Sequence, residues 1–276
     1  MDDLYGEYSV DSLQIIILSL IQGITEFLPI SSSGHLILPA QLLGWQDQGL
    51  AFDVAVHIGT LVAVVGYFRK DLMNIAFDWL GSFAGKGTTA NSRLGWYLIF
   101  ATLPAVLFGL ALKSLGLDEA MRTVAVIAGT TLIFGALLGY ADLKGKRIQP
   151  IEQLTFKQAM IIGFAQAIAL IPGTSRSGIT MTAALMLGLT RDAAARFSFL
   201  LSIPVILGAG LLLVMDLLQD SSTIDWNILI SGAAVAAVSA WICIHFFLSF
   251  INRIGLMPFV IYRFILGGIL LWVTLV

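Results

Sequence analysis

The chain has 276 residues, of which 58% are hydrophobic and only 12% are Asp, Glu, Lys or Arg, against roughly 25% charged in an ordinary soluble domain. So few charges cannot clothe a water-facing surface, and with a mean hydropathy of +0.92 the chain reads as a membrane protein, which excludes soluble enzymes and nucleic-acid binders. The net charge of −2 is silent about partners, since in a membrane chain the placement of charge carries the information, and the one cysteine, Cys243, excludes internal disulfides and cysteine-based metal clusters.

The first residues carry Asp2, Asp3 and Glu7 with no basic residue before the first apolar run, so a cleaved signal peptide is not expected. That run, 12–28, ends at Pro29, and the segment after it, 34–43, spans only about 15 Å of a roughly 30 Å hydrocarbon core. Three stretches long enough to cross follow, at 52–68, 94–112 and 123–141. Between the first two lies 71–84, where Phe77, Trp79 and Phe83 stand beside charged neighbours, a pattern expected to lie along the cytoplasmic interface. Gly135 and Gly139 form a small-xxx-small step for helix packing. The order then recurs: an apolar run at 156–171 ends at Pro172, 178–188 is short, and spans follow at 197–216, 227–250 and 256–276.

Each Pro-broken pair reads as a hairpin that enters the membrane and returns to its own side. The expected fold is an all-α polytopic membrane protein with six full spans and two re-entrant hairpins, about 12–43 and 156–188, in one membrane domain. Charge placement favours this topology. With both hairpins re-entrant, Arg69, Lys70, Lys86, Arg93, Lys144, Lys146, Arg147, Lys157, Arg191, Arg196 and Arg253 share one side, leaving Lys113 and Arg122 on the other. Counting each hairpin as a crossing spoils that asymmetry, so the positive-inside rule prefers the hairpins. It puts both termini, with Asp216, Asp220 and Asp225, outside the cytoplasm.

The recurrence is also a sequence match. At an offset of 144, Gln22 falls on Gln166, Ser31 on Ser175, Ser33 on Ser177 and Gly34 on Gly178; at 145, Phe52 meets Phe197. The repeats are 1–143 and 144–276. Three spans per repeat is an odd number, so the second copy starts from the opposite face and the hairpin tips are expected near the midplane, at the interface of the halves. Irregular backbone at that depth is tolerated only where it is buried in protein or lines a wet cavity.

The first tip places Gln22 and Glu26 four apart on one helical face, one turn before the break. A carboxylate at that depth is costly, which marks Glu26 as functional; the plainer alternative is that it pairs with Arg176 to tie the halves together. Ser31, Ser32, Ser33 and Gly34 open a half-helix, where hydroxyls and amides suit an anion. His35, in its first turn, is placed to act as acid, base or nucleophile. The second tip supplies Ser175, Arg176, Ser177, Gly178 and Thr180 at another half-helix start, and Arg176 adds a planar donor fork suited to phosphate. Satisfying broken backbone accounts for the hydroxyls and glycines but not for Arg176. Asp53 and His57 share a face and either line the cavity or pair; Arg263 either snorkels or pins the last helix; His245 reads as structural.

The runs T-E-F-L-P-I-S-S-S-G-H and P-G-T-S-R-S-G-I-T, with P-F-V-I-Y-R-F at 258–264, resemble the undecaprenyl-diphosphate phosphatase family of bacitracin-resistance membrane proteins over nearly the whole chain. The resemblance implies hydrolysis of undecaprenyl diphosphate to the monophosphate and inorganic phosphate, recycling the lipid carrier of peptidoglycan synthesis. It also implies a bacterial plasma membrane location, a divalent cation (Mg2+ or Ca2+), and a site open to the outer face. The expected partners are a polyprenyl diphosphate lipid and the bilayer, with room for a homodimer and none for nucleic acid. By position, the family's functional residues fall on Glu26, Ser32, His35, Ser175, Arg176 and Thr180. Many members carry a second glutamate where this chain has Gln22, which still offers a carbonyl to a metal but neither base nor charge. The competing class is a carrier, a polyprenyl-phosphate flippase or anion transporter, since inverted repeats with broken helices describe both. His35 beside Ser32 argues for the enzyme, because a carrier has no use for a nucleophile.

Overall fold

A computed structural model of the protein describes residues 12–45, 49–85, 87–217 and 225–275. The expectations for Asp2, Asp3, Glu7, Lys86, Asp220 and the two chain ends lie outside the described residues. Those described are helical, with one 3-10 turn at Ile151–Gln153 and no β-strand. The first broken pair is α1 (Ser12–Thr25) and α2 (Ser32–Leu43), followed by α3 (Gly49–Tyr67), α4 (Arg69–Phe83), α5 (Ala90–Ser114), the single turn α6 (Leu117–Ala120) and α7 (Val124–Lys144). The second broken pair is α8 (Phe156–Ile168) and α9 (Arg176–Met186), followed by α10 (Arg191–Leu217), α11 (Trp226–Ile254) and α12 (Met257–Leu275).

Six of these, α3, α5, α7, α10, α11 and α12, are long and apolar enough to cross a membrane, and they are the six stretches read from the sequence. Their ends differ for local reasons. α5 starts four residues early because Thr89 and Ser92 close a capping box. α10 starts at Arg191 because its polar first turns are tied down, Arg191 to Asp142 at 2.6 Å and Arg196 to Asp71 at 2.9 Å. The 14 residues of α1 and 11 of α9 reach only about 21 and 17 Å, short of a bilayer core.

In lipid, helices gain little from hydrophobic burial, so close backbone approach matters more. Gly23 of α1 lies against the Ala236 carbonyl of α11, Gly59 of α3 against the Ala233 carbonyl of α11, and Gly163 of α8 against the Ala101 carbonyl of α5; a Cβ at any of them would strike backbone. Gly135 and Gly139 seat Arg263 and Val260 of α12, as the small-xxx-small step predicted. Leu107, Leu207, Leu211, Ile230 and Ile261 face outward, whereas Gln22, Thr60, Gln166, Ser198 and Arg263 are buried. α4 rests on α5 and leaves Met73, Phe77, Leu80 and Phe83 exposed.

Candidate functional site

Two breaks of matching shape build the site. Helix α1 stops ahead of Pro29, yet the Glu26 amide still reaches the Gln22 carbonyl at 3.0 Å, so these side chains stay on one face. The chain then passes through Ser31 at φ 76°, ψ 104°, and in the second break through Ser175 at φ 69°, ψ 110°. For a residue with a Cβ such backbone costs about 1–3 kcal/mol and persists only where its surroundings enforce it. After each strained serine comes the first residue of a half-helix, Ser32 in α2 and Arg176 in α9, so both half-helices begin two residues earlier than the sequence suggested. The Ser31 and Ser33 hydroxyls lie 3.0 Å apart and those of Ser175 and Ser177 3.2 Å apart. Ser175 accepts from the Gly178 amide at 3.2 Å, an N-cap; Ser31 makes no side-chain cap, so its hydroxyl does not occupy the amides that open α2.

The two breaks meet. Ser33 Oγ accepts from the Gly173 amide at 3.1 Å, and Ser177 Oγ donates to the Leu28 carbonyl at 2.8 Å. Arg176 Nη2 approaches Glu26 Oε1 at 3.4 Å, while Nη1 donates to the Ser198 carbonyl at 3.1 Å and Nε is buried without a partner. Glu26 Oε2 accepts from Gln22 Nε2 at 3.0 Å and from Ser32 Oγ at 3.4 Å. A clamping charge-assisted bond runs at about 2.7–2.9 Å. The Glu26–Arg176 pair alternative therefore exists, but loosely, and both groups keep capacity for a ligand. Thr180 Oγ1 lies 2.7 Å from Ser198 Oγ and donates to the Arg176 carbonyl at 2.8 Å, fixing the turn that carries Arg176.

His35 stands apart from this cluster. Its Nδ1 lies 2.7 Å from the Ser31 carbonyl, which only accepts, so Nδ1 carries the proton and Nε2 presents the lone pair. Tyr262 OH, 2.7 Å away, donates to Nε2, and the two rings stack at 5.4 Å with an interplanar angle of 1°. Both nitrogens are thus engaged away from Ser32, whose hydroxyl turns to Glu26. His35 and Tyr262 border a cavity of about 520 Å³ between α1 and α12, walled by Ile21, Ile24, Leu28 and Phe259. Glu26 and Arg176 are not among its lining residues.

Sequence reasoning underrated Arg263 and missed Tyr262, Thr130, Thr131 and Ser198. Arg263, with no exposed surface, donates to the carbonyls of Thr131 at 3.1 Å, Pro29 at 3.4 Å and Gly173 at 3.1 Å, so it pins both breaks rather than snorkelling. Thr130 and Thr131 donate to the carbonyls of Pro172 at 2.5 Å and Gly173 at 3.2 Å. The signal available was polar side chains in mid-span, which in lipid need a partner. His57 Nδ1 lies 2.7 Å from the Asp53 carbonyl, and His245 stacks on Trp241 at 5.9 Å. For a cation, the described residues hold no group of three or more His, Cys, Asp or Glu. Gln22 Oε1 is nonetheless buried and unpartnered beside the Glu26 carboxylate. Two oxygen donors of this kind fit a hard cation whose remaining ligands come from phosphate and water.

Fold and site together define a multi-pass integral membrane protein with a polar, strained centre among its helices. The chain belongs to the bacitracin resistance protein BacA family, whose family model matches residues 15–269. It is 61% identical over 259 residues, 94% of this chain and 97% of the relative, to an undecaprenyl-diphosphatase of Alteromonas mediterranea. It is 56% identical to undecaprenyl-diphosphatase 1 of Pseudoalteromonas translucida, over 95% of this chain and 99% of that one. It is also 58% identical to an undecaprenyl-diphosphatase of Colwellia psychrerythraea, over 96% and 100%.

Proposed function

We propose that this protein is an undecaprenyl-diphosphatase, converting undecaprenyl diphosphate and water to undecaprenyl phosphate and inorganic phosphate, and so recycling the lipid carrier and resisting bacitracin. The observation that carries the reading is the meeting of Arg176, Glu26 and Ser32 across two strained half-helix starts, with an apolar cavity lined by the neighbouring Thr25, Leu28 and His35. A diphosphate on a prenyl chain needs both surroundings.

In this reading Arg176 and the opening amides of α2 and α9 hold the terminal phosphate, with Ser31, Ser33, Gly34, Ser175, Ser177, Gly178 and Thr180 forming and bracing the cradle. Attack on the terminal phosphorus, by His35 Nε2 directly or by Ser32 Oγ or a water that His35 deprotonates, breaks the bridging P–O bond and expels undecaprenyl phosphate; where a side chain attacks, water then hydrolyses the phospho-enzyme and releases inorganic phosphate. A divalent cation, Mg2+ or Ca2+, when bound by Glu26 and the Gln22 carbonyl, neutralises diphosphate oxygens. With Gln22 in place of a carboxylate, Glu26, just past the end of α1, is the only acidic ligand offered there.

The architecture is read as two inverted repeats with re-entrant hairpins. Supporting it, each broken pair packs on the other half, α1 on α11 and α8 on α5, and the two strained serines share one backbone shape. The basic loops then face the cytoplasm with α4 along that surface, and both termini and the site's mouth face outward. Purified protein in detergent with magnesium is expected to release phosphate from undecaprenyl diphosphate and to stop when the metal is chelated. No release, with passage of polyprenyl phosphate across sealed liposomes, would favour a carrier.

A further inference from the structure

We propose that Tyr262 is a positioning residue that caps the reactive lone pair of His35 until a prenyl chain fills the cavity between α1 and α12. The proposal rests on the diphosphatase reading above. Imidazole Nε2 has one lone pair, and here it accepts the Tyr262 O–H at 2.7 Å. While that bond stands, Nε2 can neither attack phosphorus nor take a proton from Ser32 or water, so the cap matters wherever His35 is the nucleophile or the base.

Tyr262 is built to feel the chain. The residue is 41% exposed and, together with Phe259 and Pro258, it forms the α12 wall of the cavity. The neighbouring Arg263 has no exposed surface and anchors the α12 backbone to Pro29 and Gly173 in the two breaks. The backbone under Tyr262 is therefore fixed, and the side chain is what can turn. A cavity of about 520 Å³ suits the first part of a prenyl chain rather than all of it. A chain lying there competes for the space of the tyrosine ring, and turning the ring away frees Nε2 beside the incoming diphosphate. A diphosphate with little or no chain meets a histidine that is still capped.

Tyr262→Phe keeps a ring of the same shape and deletes only the donor. The test compares kcat and KM for farnesyl diphosphate and isopentenyl diphosphate in wild type and Y262F, with magnesium in detergent. The expected result is a rise of about five- to tenfold in kcat for isopentenyl diphosphate, the scale of one neutral hydrogen bond, with less than twofold change for farnesyl diphosphate. In parallel, diethyl pyrocarbonate is expected to label His35 several-fold faster in Y262F than in wild type, with His57 and His245 as internal controls. Equal loss on both substrates with unchanged labelling would make Tyr262 a mere orienter of the ring and overturn the cap, as would no change in any readout. Phosphate release by neither protein would overturn the diphosphatase reading instead, and the labelling rates would still decide the cap.

Discussion

The two helix breaks carry the same backbone and different chemistry. Ser31 and Ser175, Ser33 and Ser177, and Gly34 and Gly178 correspond at an offset of 144, and both serine pairs keep the strained turn and the hydroxyl contact. Around that shared frame, Glu26 corresponds to Leu170, Ser32 to Arg176 and His35 to Ile179. One break thus holds the carboxylate and the imidazole, the other the guanidinium. In the proposed reading a diphosphate and a cation are balanced only by the two breaks together, because the carboxylate and the guanidinium lie on different breaks. Burial differs too: Ser177 and Thr180 are sealed in at 1% and 0% exposure, while His35 opens on the cavity. The second break is the fixed half of the site and the first is the accessible half.

Removing the cation should break this division most completely. Arg176→Ala is expected to lower kcat by about a thousandfold or more, the scale of losing a donor to developing charge, measured by phosphate release. Glu26→Gln keeps the shape of the first break and is expected to cost about a hundredfold, with much weaker dependence on added magnesium. Full activity in either variant would end the claim that the two breaks divide the chemistry. Equivalence of the scaffolds is tested at the crossing glycines. Gly23→Ala and Gly163→Ala each push a Cβ into a facing carbonyl, of Ala236 and Ala101, and each should destabilise by about 1–3 kcal/mol in thermal unfolding in detergent. The smallest effects belong to the reciprocal bonds between breaks: Ser33→Ala frees the Gly173 amide and Ser177→Ala the Leu28 carbonyl. Each should cost about 1 kcal/mol, and a double mutant destabilised by less than the sum of the two would mean that the two bonds act as one latch.

Much of this was legible in the chain. Spans at 52–68 or 227–250 are simple runs of apolar residues, and Pro29 and Pro172 end helices through local sterics, so neither depends on a neighbour. The candidate residues Glu26, Ser32 and Arg176 were legible because polar groups in apolar surroundings are conspicuous. What they bond to was not. Ser32 next to His35 in sequence suggests a pair, yet the helical twist sends Ser32 to Glu26 and lets α12 bring Tyr262 to His35. For Arg263 the sequence left snorkelling and pinning the last helix both open, and only the packing of α12 on α7 shows that it pins, binding carbonyls from both breaks.

By itself the sequence determined the solvent, the six spans, the two interruptions and the residue types gathered at them, because hydropathy, proline and repeat spacing act locally. The tertiary structure alone decided that Arg176 lies 3.4 Å from Glu26, 150 positions away, that Arg263 ties both breaks, and that an apolar cavity is bordered by a histidine held by Tyr262. These are distances between helices, set by which small residues let backbones approach, and no single stretch of chain encodes them.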